Sequence, residues 1–173
     1  MLAAAIVGSL ASFFGSTQDS YDCPTSPALS YASCKVTASA DKDCDAVRYE
    51  MLARVNGQYA TWHDPHNNGT YTLLSDSSPS KLELKRLTGD KKYTDKINFV
   101  FEPNADFGCT VRGCSRSQVF SIGDFSTNYC NMFSLYCSTK DGCKHVESDI
   151  TMTEMEVKPS AGATTSKRDC LKV

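Results

Sequence analysis

The sequence predicts an α+β domain, mainly antiparallel β with one short helix, built as a meander, small barrel or sandwich and stapled by disulfides. Three observations carry that expectation. Cysteine occurs nine times, at positions 23, 34, 44, 109, 114, 130, 137, 143 and 170. Three strand-length runs follow one another between Gly69 and Glu102, joined by turn-rich segments. One stretch, residues 46–56, carries a helical apolar stripe between capping residues. A chain of 173 residues suffices for one ordinary domain with a hydrophobic core, and 40% hydrophobic residues with a mean hydropathy of -0.34 suit a globular one.

Residues 1–14 (MLAAAIVGSLASFF) are apolar or small, with no charged side chain before Asp19. The run is shorter than the roughly 20 residues that span a bilayer. It reads as a signal-peptide core, which makes residues 1–17 a leader and 18–173 a single disulfide-rich extracellular domain. All nine cysteines fall in that domain, a density typical of the oxidising secretory route. Residues 17–27 are a polar arm anchored by Cys23, and 33–39 (SCKVTAS) is a short strand. Residues 46–56 (AVRYEMLARVN) alternate as a strand would, yet Asp45 and Gly57 fit as caps and Val47, Met51, Leu52 and Val55 form one stripe, so helix is the favoured reading.

The runs 69–75, 81–88 and 96–102 form a β-meander. In the third, Ile97, Phe99 and Phe101 face the core while Lys96, Asn98, Val100 and Glu102 face away. Short strands are expected at 110–112 and 118–122, an irregular stapled loop with one short helix at 123–142, and a long final strand at 146–157. The polar tail after residue 157 needs Cys170 to pin it.

Residues 45–108 contain no cysteine, so that stretch must fold on hydrophobic burial. Short closures such as Cys34 with Cys44, or Cys109 with Cys114, are open to the remainder. An odd count leaves one thiol free, or paired with another chain. The absence of any Cys-x-x-Cys spacing argues against zinc knuckles and thioredoxin-type chemistry.

The densest candidate segment is WHDPHNNGTY at 62–71, which holds the only tryptophan and two of three histidines. His63, Asp64 and His66 could converge on a metal, although Pro65 precludes a regular helix and the Asp-Pro, Asn-Asn and Asn-Gly steps favour a structured turn. Asn68-Gly69-Thr70 is a glycosylation sequon. Asp41, Asp43 and Asp45 open like a calcium loop, but Ala46 and Leu52 stand where glycine and glutamate are required, which excludes an EF-hand. Ser115 and Ser117 lack the flanking glycines of a nucleophile elbow. Cys143 with His145, and Glu154 with Glu156, would each share a strand face, but a bridge and a solvated face are the simpler readings.

Net charge is -2 without a basic block, which disfavours nucleic acid. Residues 81–96 carry six Lys/Arg against three acids and residues 19–45 five Asp against two Lys, so the surface is dipolar.

The stretches DPHNNGTYTLLS, RLTGDKKYTDKINF, CSRSQVFSIGDFSTNYCNMFSLYC and DGCK resemble a group of small secreted cysteine-rich proteins of unicellular algae, over roughly residues 60–145. That resemblance implies export but assigns no activity, cofactor or catalytic residue. A likeness to lipocalins is architectural only, because the Gly-x-Trp signature is missing: Gly57 and Trp62 are too far apart.

The expected function is therefore a secreted, non-enzymatic binding or interaction protein without a cofactor. Its small apolar ligand would lie against Trp62, Tyr71, Phe99 and Phe101, in a lipocalin-like manner. Alternatives are a metal-dependent hydrolase using His63, Asp64 and His66, and a structural coat protein cross-linked through the odd cysteine. An extracellular protein is the other partner expected, with no membrane span and a monomer or disulfide-linked dimer as the assembled state.

Overall fold

The computed structural model describes residues 22–121 and 123–173. The expected leader therefore lies outside the described residues. The fold is α+β: β1 (Ser33–Ala40), α1 (Cys44–Gly57), β2 (Thr70–Ser78), β3 (Lys81–Leu87), β4 (Thr94–Pro103), β5 (Cys109–Ser117), α2 (Thr127–Tyr136) and β6 (Met152–Pro159). The strands form one antiparallel sheet in the order β2-β3-β4-β5-β1-β6. Its outer strands β2 and β6 are not paired with each other, so the sheet is open where a barrel would close.

Both helices pack on one face, because period-two alternation turns one apolar set of each strand toward them. On β1 these are Cys34, Val36, Ala38 and Ala40; on β3, Leu82 and Leu84; on β4, Ile97, Phe99 and Phe101, as the meander pattern predicts. Leu82 stands opposite Phe99 and Leu84 opposite Ile97, so adjacent strands stack their large side chains in register. At Gly113 of β5 an added Cβ would lie 2.8 Å from Phe99 and 2.9 Å from Met132, so glycine is what lets α2 approach the sheet.

Helix α1 begins two residues earlier than the sequence suggests, because Asp43 and not Asp45 caps it, accepting from the Ala46 N–H at 2.8 Å. Its buried positions include Val47, Met51 and Val55, together with the ion pair Glu50–Arg54. The expected short helix in 123–142 is α2. From Asn128 to Tyr136 every residue is buried, so no polar face marked it in the sequence.

Two expectations are corrected. Residues 118–121 form no strand, and the pairing ends with β5 at Ser117. The final strand starts at Met152 instead of residue 146, because the N–H groups of Val146, Glu147 and Ser148 turn onto the Glu50 carboxylate at 2.7–2.9 Å.

Four disulfides tie the elements: Cys23–Cys114, Cys44–Cys109, Cys130–Cys170 and Cys137–Cys143. The first holds the N-terminal arm on the sheet face away from the helices, where Asn98 also donates to the Asp22 carbonyl at 3.3 Å. Neither short closure considered from the sequence forms. Cys109 and Cys114 lie an odd number of residues apart on one strand, so they face opposite sides of the sheet. Cys34 is the unpaired thiol, buried on the helix-facing side of β1. It is the one cysteine that the odd count leaves outside the four bridges.

Candidate functional site

The aromatic set expected to line a ligand cavity is closed core. Trp62 and Tyr71 pack with ring centroids 6.0 Å apart, Phe99 and Phe101 at 6.3 Å, and the Tyr71 hydroxyl donates to the Asn131 carbonyl at 3.0 Å. None of the four lines the clefts beside Asp124, beside Cys23 and Asn98, or beside Cys44 and Phe107.

The histidine segment is the structured turn that its dipeptides favour. Asp64 forms a buried ion pair with Arg86 and accepts the Gly69 N–H at 2.7 Å. The Arg86 guanidinium also donates to Asn67 at 2.7 Å and lies over the Tyr71 ring. His66 Nδ1 is 2.9 Å from the Asp169 carbonyl, whereas His63 is exposed. Burial, then the Arg86 charge, hold the His66 imidazole below its ordinary value and so neutral at physiological pH. Asp64 and His66 thus serve different partners, and the exposed His63 joins neither. Among the described residues no group of three or more His, Cys, Asp or Glu side chains could hold a metal ion.

Of the remaining candidates, Asp43 caps α1 and Asp41 accepts the Thr151 N–H at 2.9 Å, which are structural duties. Cys143 is bridged. Asn68 is exposed at the tip of its turn with φ 54°, a left-handed conformation that asparagine tolerates. Glu154 and Glu156 face opposite sides of the sheet. Ala38 pairs with Glu154 and the adjacent Thr37 with Glu156, so a bulge at Met155 breaks the alternation. Glu154 turns toward the helices and accepts the Tyr129 and Tyr136 hydroxyls at 2.9 and 2.6 Å.

A different cluster has the character of a site. The helix-facing rows of β3, β4 and β5 are apolar at one end and become polar at the other, reaching Arg86, Asp95 and Ser117. These three stand side by side, Arg86 opposite Asp95 and Asp95 opposite Ser117. Above them, α2 contributes Asn128 and Asn131, and the segment before it contributes Asp124, all buried. Asp95 accepts from Ser117 Oγ at 2.7 Å and from Asn131 Nδ2 at 2.8 Å. Ser115 Oγ donates to Asn128 Oδ1 at 2.7 Å and accepts from Asn131 Nδ2 at 3.0 Å. Asn128 Nδ2 donates to Asp124 Oδ2 at 2.9 Å.

Three of the four oxygens of Asp95 and Asp124 are thereby satisfied. The fourth, Asp124 Oδ1, is buried and has no hydrogen-bond partner among the described residues. Burial pushes the Asp124 carboxyl above the usual aspartate range despite the Asn128 bonds that lower it, and the charge of Asp95 pushes the same way.

These carboxylates line a cleft of about 440 Å³, within the range of small-molecule sites. Asp95, Ser117, Asp124 and Thr127 form polar wall, and Tyr93 and Phe125 add aromatic surface. Phe125 is 86% exposed. It and Ser126 have φ of 42° and 71°, left-handed values that cost non-glycine residues about 1–3 kcal/mol each and gather at ligand clamps. A Ser126–Thr164 hydroxyl contact helps hold that turn.

No family model and no curated protein sequence matches the chain. Among solved structures, CalU16 from Micromonospora echinospora is similar at a TM-score of 0.39 and 10% identity, over 58% of this chain and 71% of that one.

Proposed function

We propose that the protein is a secreted, non-enzymatic binding protein that takes a small amphipathic ligand into the Asp95–Asp124 cleft. The observation that carries this reading is the unpartnered, buried Asp124 Oδ1 beside a second buried carboxylate, in a cleft with exposed aromatic surface. An unsatisfied buried acceptor costs about 1–3 kcal/mol, which a donor-bearing ligand recovers. Four disulfides, and no helix long and apolar enough to cross a membrane among the described residues, accord with an extracellular role.

Binding is favoured over catalysis because the hydroxyls of Ser115 and Ser117 are engaged by Asn128 and Asp95, and no histidine lines the cleft among the described residues. Cross-linking through the odd cysteine is disfavoured by the burial of Cys34.

Thermal melting of the whole protein against a panel of small amphipathic molecules tests the reading, since a ligand of the folded state raises the melting temperature. Stabilisation that Phe125→Ala lowers, and that Asp124→Asn lowers for the ligands whose head group pairs with that carboxylate, is the expected result. Stabilisation indifferent to both substitutions contradicts it.

A further inference from the structure

We propose that the ligand class of this cleft is a small organic ammonium carrying an apolar or aromatic tail. The inference rests on the binding reading above and assigns the chemistry of the head group. Its basis is a charge imbalance built into the polar end of the core.

From β3, Arg86 faces the cluster; from β4, Asp95; from the turn after Trp62, Asp64; from the segment before α2, Asp124. Asp90 adds a carboxylate to the cleft wall, where Lys92 lies 3.6 Å away at the surface. The guanidinium of this cluster, on Arg86, gives its Nη2 to Asp64 and Asn67, keeps Nε and Nη1 buried without a hydrogen-bond partner among the described residues, and stands opposite Asp95 in the strand register. Asp124 has only the neutral Asn128 side chain and N–H groups as partners, and one oxygen has none among the described residues. Three buried carboxylates against one buried guanidinium leave the site anionic, and a carboxylate withdrawn from water without a counter-charge is costly.

A ligand cation removes that cost. A primary ammonium brings a positive charge and three donors to satisfy Asp124 Oδ1 and the wall hydroxyls. A divalent metal fits less well. Calcium takes about 6–8 oxygen ligands, and Ser117, Asn131 and Asn128 already occupy most of the carboxylate oxygens. A neutral ligand could donate but would leave the charge uncompensated. The exposed Phe125 ring supplies the complementary surface for a tail.

The test is calorimetric and NMR titration of the intact protein with phenethylammonium chloride, 2-phenylethanol, 3-phenylpropionate and calcium chloride at neutral pH. The proposal expects phenethylammonium to bind about tenfold or more tightly than 2-phenylethanol, with amide shifts at Asp95, Ser117, Asp124 and Thr127, and phenylpropionate to bind more weakly still. Asp124→Asn should lose about tenfold or more of the ammonium affinity while keeping that for the alcohol. Phe125→Ala, a surface change that spares the core, should weaken both. Equal affinity for amine and alcohol overturns the ammonium assignment and leaves the cleft a binding site. Calcium-driven shifts that exclude the amine overturn it in favour of a metal. Absence of any cleft response to all four overturns this inference and the binding reading together.

Discussion

Asn128 donates its side-chain amide to Asp124 Oδ2 at 2.9 Å, and the other oxygen of Asp124 is buried beyond reach of any donor among the described residues. Half of this carboxylate is satisfied and half is not. Its pKa is raised in the folded state, first by burial and also by Asp95. A raised carboxyl favours folding while protonated, below its unfolded pKa, and that contribution is lost as pH rises through the folded pKa. Asp124→Asn should therefore melt higher than wild type at neutral pH, with the gap closing as pH falls into the acid range. Differential scanning calorimetry over that range checks it.

Glu50 has the opposite linkage. Burial alone would raise its pKa, but the Ser148 N–H, Arg54 and the Val146 and Glu147 N–H groups together hold it below the usual glutamate range. Stability from this group is present above the unfolded pKa and is lost as pH falls through the folded one. Arg54 passes the connection on, donating to the Ser134 and Cys137 carbonyls at 2.9 Å each, at the end of α2. Glu50→Gln leaves a buried guanidinium without its counter-charge, for an expected loss of about 3–5 kcal/mol in urea denaturation.

Cys34 should be chemically silent while the protein is folded. It is 1% exposed, and its thiol is pushed up to about 12 by burial, then by the charges of Asp124 and Glu154. Intact mass after iodoacetamide at mildly alkaline pH should show no adduct on native protein and one on denatured, unreduced protein.

The disulfides should differ in worth with the loop each closes. Cys23–Cys114 spans a sequence separation of 91 and Cys137–Cys143 one of 6. Replacing the first pair by serine should cost about 4–5 kcal/mol and the second about 2 kcal/mol, by the loop-entropy argument. Denaturation midpoints of the two double variants give the comparison.

The meander, α1 and β1 were legible in the sequence because each buries one face only, which leaves a period to read. Ile97, Phe99 and Phe101 announce their strand this way. The same alternation, continued to Asp95, Arg86 and Ser117, carries the signal for the candidate site: charged and hydroxyl side chains in core-facing positions. The adjacency of His63, Asp64 and His66 in sequence, by contrast, says nothing of the Arg86 and Asp169 partners supplied from elsewhere. Helix α2 gave little sign because it is buried almost throughout, and the bulge that separates Glu154 from Glu156 is invisible to a strict period of two. Two of the four bridges, Cys23–Cys114 and Cys44–Cys109, follow the opposite faces of β5, which depend on where that strand lies in the sheet.

The most direct measurement is a carbon-13 NMR titration of the Asp124 side-chain carboxyl, with and without saturating phenethylammonium. An uncompensated carboxylate in a cation-binding cleft should titrate above the usual aspartate value of about 4, and the bound amine should draw that midpoint down. A midpoint at or below the usual value, unmoved by the amine, would contradict the account.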